Sequence, residues 1–170
     1  MINIISNGSI TSSVSANSTY GFSIVTYTGT GSNATVGHGL SSAPKLIIVK
    51  DRSQATGWSV YHDSIATSTN NYVELQDGAA ASQDNTAFQN TASTNSVFSI
   101  GTKAAVNTSG DNFVAYCWSE VSGFSKFGTY TGNGSATGPV ITTGFKPRFV
   151  LVKGSSHSSN WNIIDTARST

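Results

Sequence analysis

Apolar residues in this chain fall in short runs rich in Val, Ile, Phe, Tyr and Thr, broken by clusters of Gly, Asn, Ser and Asp, and no window sustains a 3.6-residue period. That pattern predicts an all-β fold. Strands are expected at 22–28, 34–39, 45–50, 58–63, 72–75, 97–100, 113–119, 127–131, 140–144, 148–153 and 161–165. Residues 46–49 and 149–152 are apolar at every position, as strands covered on both faces are. Over 113–118, Phe113, Ala115 and Cys117 would share one face and Val114, Tyr116 and Trp118 the other, which again predicts burial on both sides. The polar segment 76–95, with Ala79-Ala80-Ala81, is where a short helix or an excursion loop is expected. Many short strands with turn signals at this spacing favour a β-sandwich, jelly-roll or lectin-like, over a barrel.

The strand pattern is stated twice. Gly21-Phe22-Ser23, Tyr27-Thr28-Gly29, Gly31-Ser32, Pro44, Val49-Lys50 and Trp58 return as Gly123-Phe124-Ser125, Tyr130-Thr131-Gly132, Gly134-Ser135, Pro147, Val152-Lys153 and Trp161. From Tyr27 to Trp58 the offset is a constant 103, which points to an internal duplication. The second copy holds only the first half of the pattern. The expected organisation is therefore an N-terminal extension or first strand (1–20), a complete repeat unit (21–122) and a partial second repeat (123–170) packed on the first or on a neighbouring subunit. Strands left without partners in that half-copy predict assembly, as a homo-oligomer and, if fibre-like, a trimer.

Composition narrows the function. Only 10% of the 170 residues are charged, against a usual quarter, and the formal net charge is +1. Lys and Arg are scattered singly, so the footprint needed to hold a phosphate backbone is missing and nucleic acid is not an expected partner. No stretch approaches 18 apolar residues, so membrane insertion is not expected. The first thirteen residues lack the charged and apolar regions of a secretory signal. Cys117 is the single cysteine, which excludes an internal disulfide and a cysteine-based zinc cluster.

Candidate chemistry is sparse. Gly29-x-Gly31-x-x-Ala34 loosely matches a dinucleotide fingerprint, but a strand-like run follows it where a helix is needed, so it reads as a hairpin turn. His38, His62 and Asp63 could be imagined as a catalytic or metal cluster; glycines flank His38 on both sides, and a structural hydrogen-bonding role is the simpler reading. No Gly-x-Ser-x-Gly elbow, His-Glu-x-x-His motif or carboxylate pair occurs, so no enzymatic activity and no catalytic residue is expected. Asp77, Asp84 and Asp111 could gather around calcium, yet no Asp-x-Asp spacing supports that, and neither a metal nor a cofactor is expected. Trp58, Tyr61, Trp118 and Trp161 raise a sugar-stacking hypothesis. Trp58 and Trp161 share a repeat position and with it a core role. Tyr61, His62 and Trp118 are left as the candidate binding residues, with Tyr61 and His62 expected at the surface end of their strand. Five Asn-x-Ser/Thr sequons, at Asn7, Asn17, Asn33, Asn107 and Asn133, are what so hydroxyl-rich a chain contains by composition.

The segments Gly21-Phe22-Ser23-Ile24-Val25-Thr26-Tyr27-Thr28-Gly29, Val36-Gly37-His38-Gly39-Leu40, Pro44-Lys45-Leu46-Ile47-Ile48-Val49-Lys50, Val114-Ala115-Tyr116-Cys117-Trp118-Ser119-Glu120 and Gly123-Phe124-Ser125-Lys126-Phe127-Gly128 together resemble an uncharacterised repeat domain of phage virion proteins, common in marine phages including those of cyanobacteria. The resemblance covers Asn7 to Thr170. It supplies no functional residues. Members usually continue the second copy for about fifty residues more, and this chain departs from them there. The resemblance implies a non-enzymatic structural or adhesive protein of the virion, assembled in the host cytoplasm among other virion proteins. Its expected role is a tail- or fibre-associated module for binding a host-surface glycan, with capsid decoration as the alternative.

Overall fold

The computed structural model describes residues 1–66 and 71–168. Their strands are β1 (Asn3–Ile5), β2 (Ser12–Asn17), β3 (Phe22–Thr28), β4 (Ala34–Gly37), β5 (Leu46–Asp51), β6 (Trp58–His62), β7 (Asn71–Glu74), β8 (Ser82–Gln83), β9 (Val97–Ile100), β10 (Asn112–Trp118), β11 (Phe149–Val152) and β12 (Asn162–Asp165). Three single-turn helices, α1 (Asp63–Ala66), α2 (Asn85–Phe88) and α3 (Ala104–Asn107), interrupt them. The fold is all-β and sandwich-like.

Eight strands form one antiparallel sheet in the order β1-β2-β3-β10-β5-β6-β7-β8. Strand β10 sits at its centre, bonded along its length to β3 (Tyr116 opposite Ile24) and to β5 (Tyr116 opposite Ile48). Alternation sends Val25, Tyr27, Ile47, Val49, Phe113, Ala115 and Cys117 to one face, where they are buried beneath the β4–β9 pair and the helices α2 and α3. Stacking of Tyr27 on Phe113, with ring centroids 5.2 Å apart, and the edge of Phe98 against Tyr27 fill the middle of that core. The opposite face carries a smaller cluster of Ile48, Val60 and Val73. Burial on both faces matches the sequence expectation for β5, whereas β10 is buried on its inner face and only half-buried on the other.

The excursion expected within 76–95 contains α2, whose first turn is capped by the Asp84 carboxylate accepting from the Thr86 amide at 2.9 Å. Residues 127–131 and 140–144, expected as strands, are irregular and mostly exposed. Extended backbone persists only where its N–H and C=O groups find a ladder, and neither segment has a strand beside it. Residues 1–20, expected as an N-terminal extension or first strand, carry two strands, β1 and β2.

From residue 123 onward no described residue is buried. The hairpin β11–β12 nonetheless keeps the register of β5–β6: Leu46 faces His62 and Val49 faces Ser59, while Phe149 faces Asp165 and Val152 faces Asn162, each pair displaced by 103. The loop between β11 and β12 anchors on the large sheet. Ser159 donates its amide to the Gly78 carbonyl at 2.7 Å, the Lys153 ammonium reaches the Ala79 carbonyl at 2.6 Å, and Trp161 Nε1 donates to the Glu74 carbonyl at 2.9 Å.

Candidate functional site

The face of the large sheet turned away from β4 and β9 is the one broad aromatic surface among the described residues. Antiparallel register sets out its rows. Phe22, Trp118, Leu46 and His62 form one row across β3, β10, β5 and β6; Ile24, Tyr116, Ile48 and Val60 form the next; Thr26, Val114, Lys50 and Trp58 form the third. Phe22 packs on Trp118 with centroids 5.0 Å apart, Trp118 on Tyr116 at 6.4 Å and Tyr116 on Trp58 at 6.4 Å, so four rings make a continuous strip. All four are half-buried. Ile65, Leu75, Ala81 and Trp161 pack against the Ile48–Val60–Val73 cluster beside Tyr116, Trp118 and Trp58.

Charged and polar groups rim the Trp118 end. The Lys45 ammonium lies 2.6 Å from an Asp63 carboxylate oxygen, and the Lys45 amide donates to the Trp118 carbonyl at 2.7 Å. The hydrogen bond from Lys45 to Asp63 raises the Lys45 pKa above its ordinary value, so the ammonium stays charged. Beyond them the Glu120 carboxylate accepts from Lys126 at 2.9 Å, which lowers its pKa. His62 accepts the Ser64 amide on Nδ1 at 3.2 Å; burial lowers its pKa, with Lys45 adding to that effect and Asp63 opposing it. At the other end of the face a shallow cleft of about 260 Å³ is lined mainly by hydroxyl, amide and guanidinium side chains, those of Thr11, Ser13, Thr26, Thr28, Arg52 and Asn112, with Tyr27 and Phe113 also bordering it.

Of the sequence candidates, Trp118 and His62 fall in one row of this face, with Leu46 between them. Tyr61 does not. It is 1% exposed, packs edge-on against Phe88 at 5.5 Å and donates its hydroxyl to Asp63 at 3.2 Å, so its expected surface position is corrected to the inner core. The physical reason is the two-residue period of a strand, which sends Tyr61 and His62 to opposite faces. Phe22 and Tyr116 join the site without having been singled out for it, and Trp58, raised for sugar stacking but given a core role, lies in it too. Trp58 and Trp161, expected to share a core role, pack on the same outer cluster.

His38 is fully buried; its Nδ1 accepts the Leu40 amide at 3.1 Å, which leaves Nε2 to donate to the Thr94 carbonyl at 3.1 Å. That is the structural role expected of it. Among the described residues no three His, Cys, Asp or Glu side chains gather as metal ligands, and Asp77, Asp84 and Asp111 each serve a separate local contact: the Ala79 amide, the α2 cap and the Gln54 amide group. Burial pushes the Cys117 thiol up to about 12, with Ser23 facing it across the ladder, so it behaves as a small apolar core residue.

Fold and face together define an all-β, sandwich-like module with one layered face and one open aromatic face. A family model for a domain of unknown function, DUF7483, matches residues 3–170, and the chain belongs to that family. No curated protein and no solved structure matches it.

Proposed function

We propose that this protein is a non-enzymatic module of a phage particle, associated with the tail or fibre, that binds host-surface glycans on its open aromatic face. The observation that carries the binding reading is the row Phe22–Trp118–Leu46–His62, in which half-exposed rings lie beside the Lys45–Asp63 pair. Flat apolar rings suit the C–H faces of pyranoses, while carboxylate, ammonium and imidazole groups at the rim can read hydroxyls. The virion setting rests on the resemblance of segments such as 21–29, 44–50 and 114–120 to phage repeat domains.

Glycan-array binding with wild-type protein and Trp118→Ala tests it. Loss of one stacked ring weakens an identified glycan about tenfold, a 1.4 kcal/mol effect, with Trp118→Phe largely restoring it. Wild-type protein that binds no glycan, or Trp118→Ala protein that binds as well with unchanged thermal stability, overturns the reading. A second reading, capsid decoration, is favoured by the exposed apolar residues of the β11–β12 hairpin, which suit docking among other virion proteins. Labelled imaging of intact particles separates tail from capsid. Either setting is compatible with a homo-oligomer, trimeric in a fibre, which light scattering at micromolar concentration measures.

A further inference from the structure

The outer face of β2, β3 and β10 changes character along its length. At one end lie the rings of Phe22 and Trp118; six residues along β10, about 20 Å at the rise of an antiparallel strand, Asn112 lies opposite Thr28. Between them the outward positions are Ile24 beside Tyr116 and Thr26 beside Val114, and Ile24 is 39% exposed. Strand β2 flanks this path with Asn17, Ser15 and Ser13, opposite Phe22, Ile24 and Thr26 in turn. The path is a largely apolar floor edged by hydroxyl and amide groups. It ends in the cleft of about 260 Å³ that Arg52 borders, held there by its amide, which donates to the Asn112 carbonyl at 2.8 Å.

Charge separates the two ends. Beside Trp118 each cation has a carboxylate, Asp63 for Lys45 and Glu120 for Lys126. At the cleft end neither cation has one among the described residues. The Lys50 ammonium donates to the Gln54 and Thr56 carbonyls at 3.4 and 2.7 Å, and the exposed Arg52 guanidinium has no hydrogen-bond or ion-pair partner. Asp111 does not line the cleft, and its carboxylate accepts from the Gln54 side-chain amide. Asp51 is buried and caps the Ser53 and Gln54 amides through Oδ1. A guanidinium with its donors free, at the end of a polar cleft, presents a fork that fits an oxyanion.

We infer that the ligand of this face is an extended acidic glycan, whose carboxylate or sulfate group sits on Arg52 while another of its rings stacks on Trp118. The inference rests on the glycan reading for the stacked ring and adds the class of sugar. A single ring cannot span the two groups, so the ligand is an oligosaccharide. One guanidinium suits one acidic group among several rings; a phosphate backbone, charged at every unit, fits it less well.

An array of matched pairs, an oligogalacturonate beside its methyl ester and a sulfated galactan beside its desulfated form, tests this on the full chain. Wild-type protein is expected to hold at least one acidic member about tenfold more tightly than its neutral partner, a preference that shrinks as salt rises. Whichever pair responds identifies the oxyanion. Arg52→Gln abolishes the preference, so that both members of the pair bind alike, and Arg52→Lys keeps part of it. Because the Arg52 side chain is exposed and unpartnered, both variants should melt with the wild type. Trp118→Ala weakens both members by the same factor and leaves the preference intact. Acidic and neutral members that bind wild-type protein equally, or an acid preference that survives Arg52→Gln, would overturn the inference and leave the glycan reading standing. An array that retains no glycan overturns that reading, and this inference with it. Tighter binding of a single-stranded DNA oligomer than of every acidic glycan would overturn the choice of ligand.

Discussion

Two buried polar side chains show how single residues hold the covering layer on the sheet. Asn107, fully buried, donates from Nδ2 to the Ser32 carbonyl at 2.6 Å and to the Gly101 carbonyl at 2.7 Å, and accepts the Thr30 amide on Oδ1 at 2.8 Å. It ties the turn after β3 to the start of α3. Truncation to Ala strands three backbone groups, and a cost of about 3 kcal/mol is expected by urea denaturation. Asn107→Asp should be no better, because two donors become acceptors aimed at carbonyls. The same burial means the sequon at Asn107 can receive no glycan on the folded protein. His38 and His62 give the fold a pH dependence. Burial lowers the pKa of both, so between the ordinary value of about 6.5 and the lower folded value the unfolded chain binds protons that the folded chain refuses. Stability is then fully present above about pH 6.5 and falls as the pH drops through that window. Denaturation midpoints measured from pH 8 to pH 5 should be flat and then decline. A midpoint unchanged down to pH 5 would contradict the neutral, Nε2-protonated assignment of His38.

Elements with their own hydrophobic alternation were legible in the sequence; elements defined by a neighbour were not. Strands β3, β5, β6, β9 and β10 read directly from runs such as Phe22 to Thr28, because their alternation is matched by burial of the inner face; β11 was read from its apolar run too, but the cover expected on both its faces is missing, since Phe149 and Val150 are exposed. β2 was placed no more closely than a first strand somewhere in 1–20 because serines occupy half of it: only Val14 and Ala16 are apolar, and Ser12 is buried by giving its hydroxyl to the Gly37 carbonyl at 2.8 Å. The opposite error arose at 127–131, where Tyr130 and Thr131 repeat a true strand but no ladder receives them. For the candidate site, composition flagged Trp118 and His62, while the strip emerged only once register placed Phe22 and Tyr116 beside Trp118. A β-carbon probes the same contrast between Gly29 and Gly132. At Gly29 it would lie 2.2 Å from the Thr108 carbonyl oxygen, a backbone atom that cannot yield, whereas at its counterpart Gly132 it would meet nothing within 4 Å. Gly29→Ala is expected to lower stability by about 2 kcal/mol or more, and Gly132→Ala to leave it unchanged or raise it by a few tenths, as thermal melts of the two variants would show.

At the scale of the whole molecule, the large sheet is held between two unequal coverings. One is the buried layer of β4, β9, α2 and α3; the other is the loop between β11 and β12, resting on Gly78, Ala79 and Glu74. The second contributes little core, since no described residue beyond 122 is buried, and what it adds is mainly the cover that Trp161 gives to Ile48, Val60 and Val73. Stability should therefore reside in residues 1–122. Every strand of the large sheet and of the β4–β9 pair falls within them, including β10, which joins its halves. Limited proteolysis is expected to cut first within the irregular, exposed stretch 126–148 and to leave a fragment ending near residue 125. A separately expressed 1–122 chain should melt cooperatively within several degrees of the full protein, having lost the half-exposed Trp161 contact, whose burial is worth about 1–2 kcal/mol, and the exposed loop hydrogen bonds to Gly78 and Ala79. Trp161→Ala should reproduce most of that small shift. If instead the 1–122 chain proved unfolded, residues 123–168 would be an integral layer of the sandwich, and their exposed apolar hairpin could not be a surface held ready for a partner.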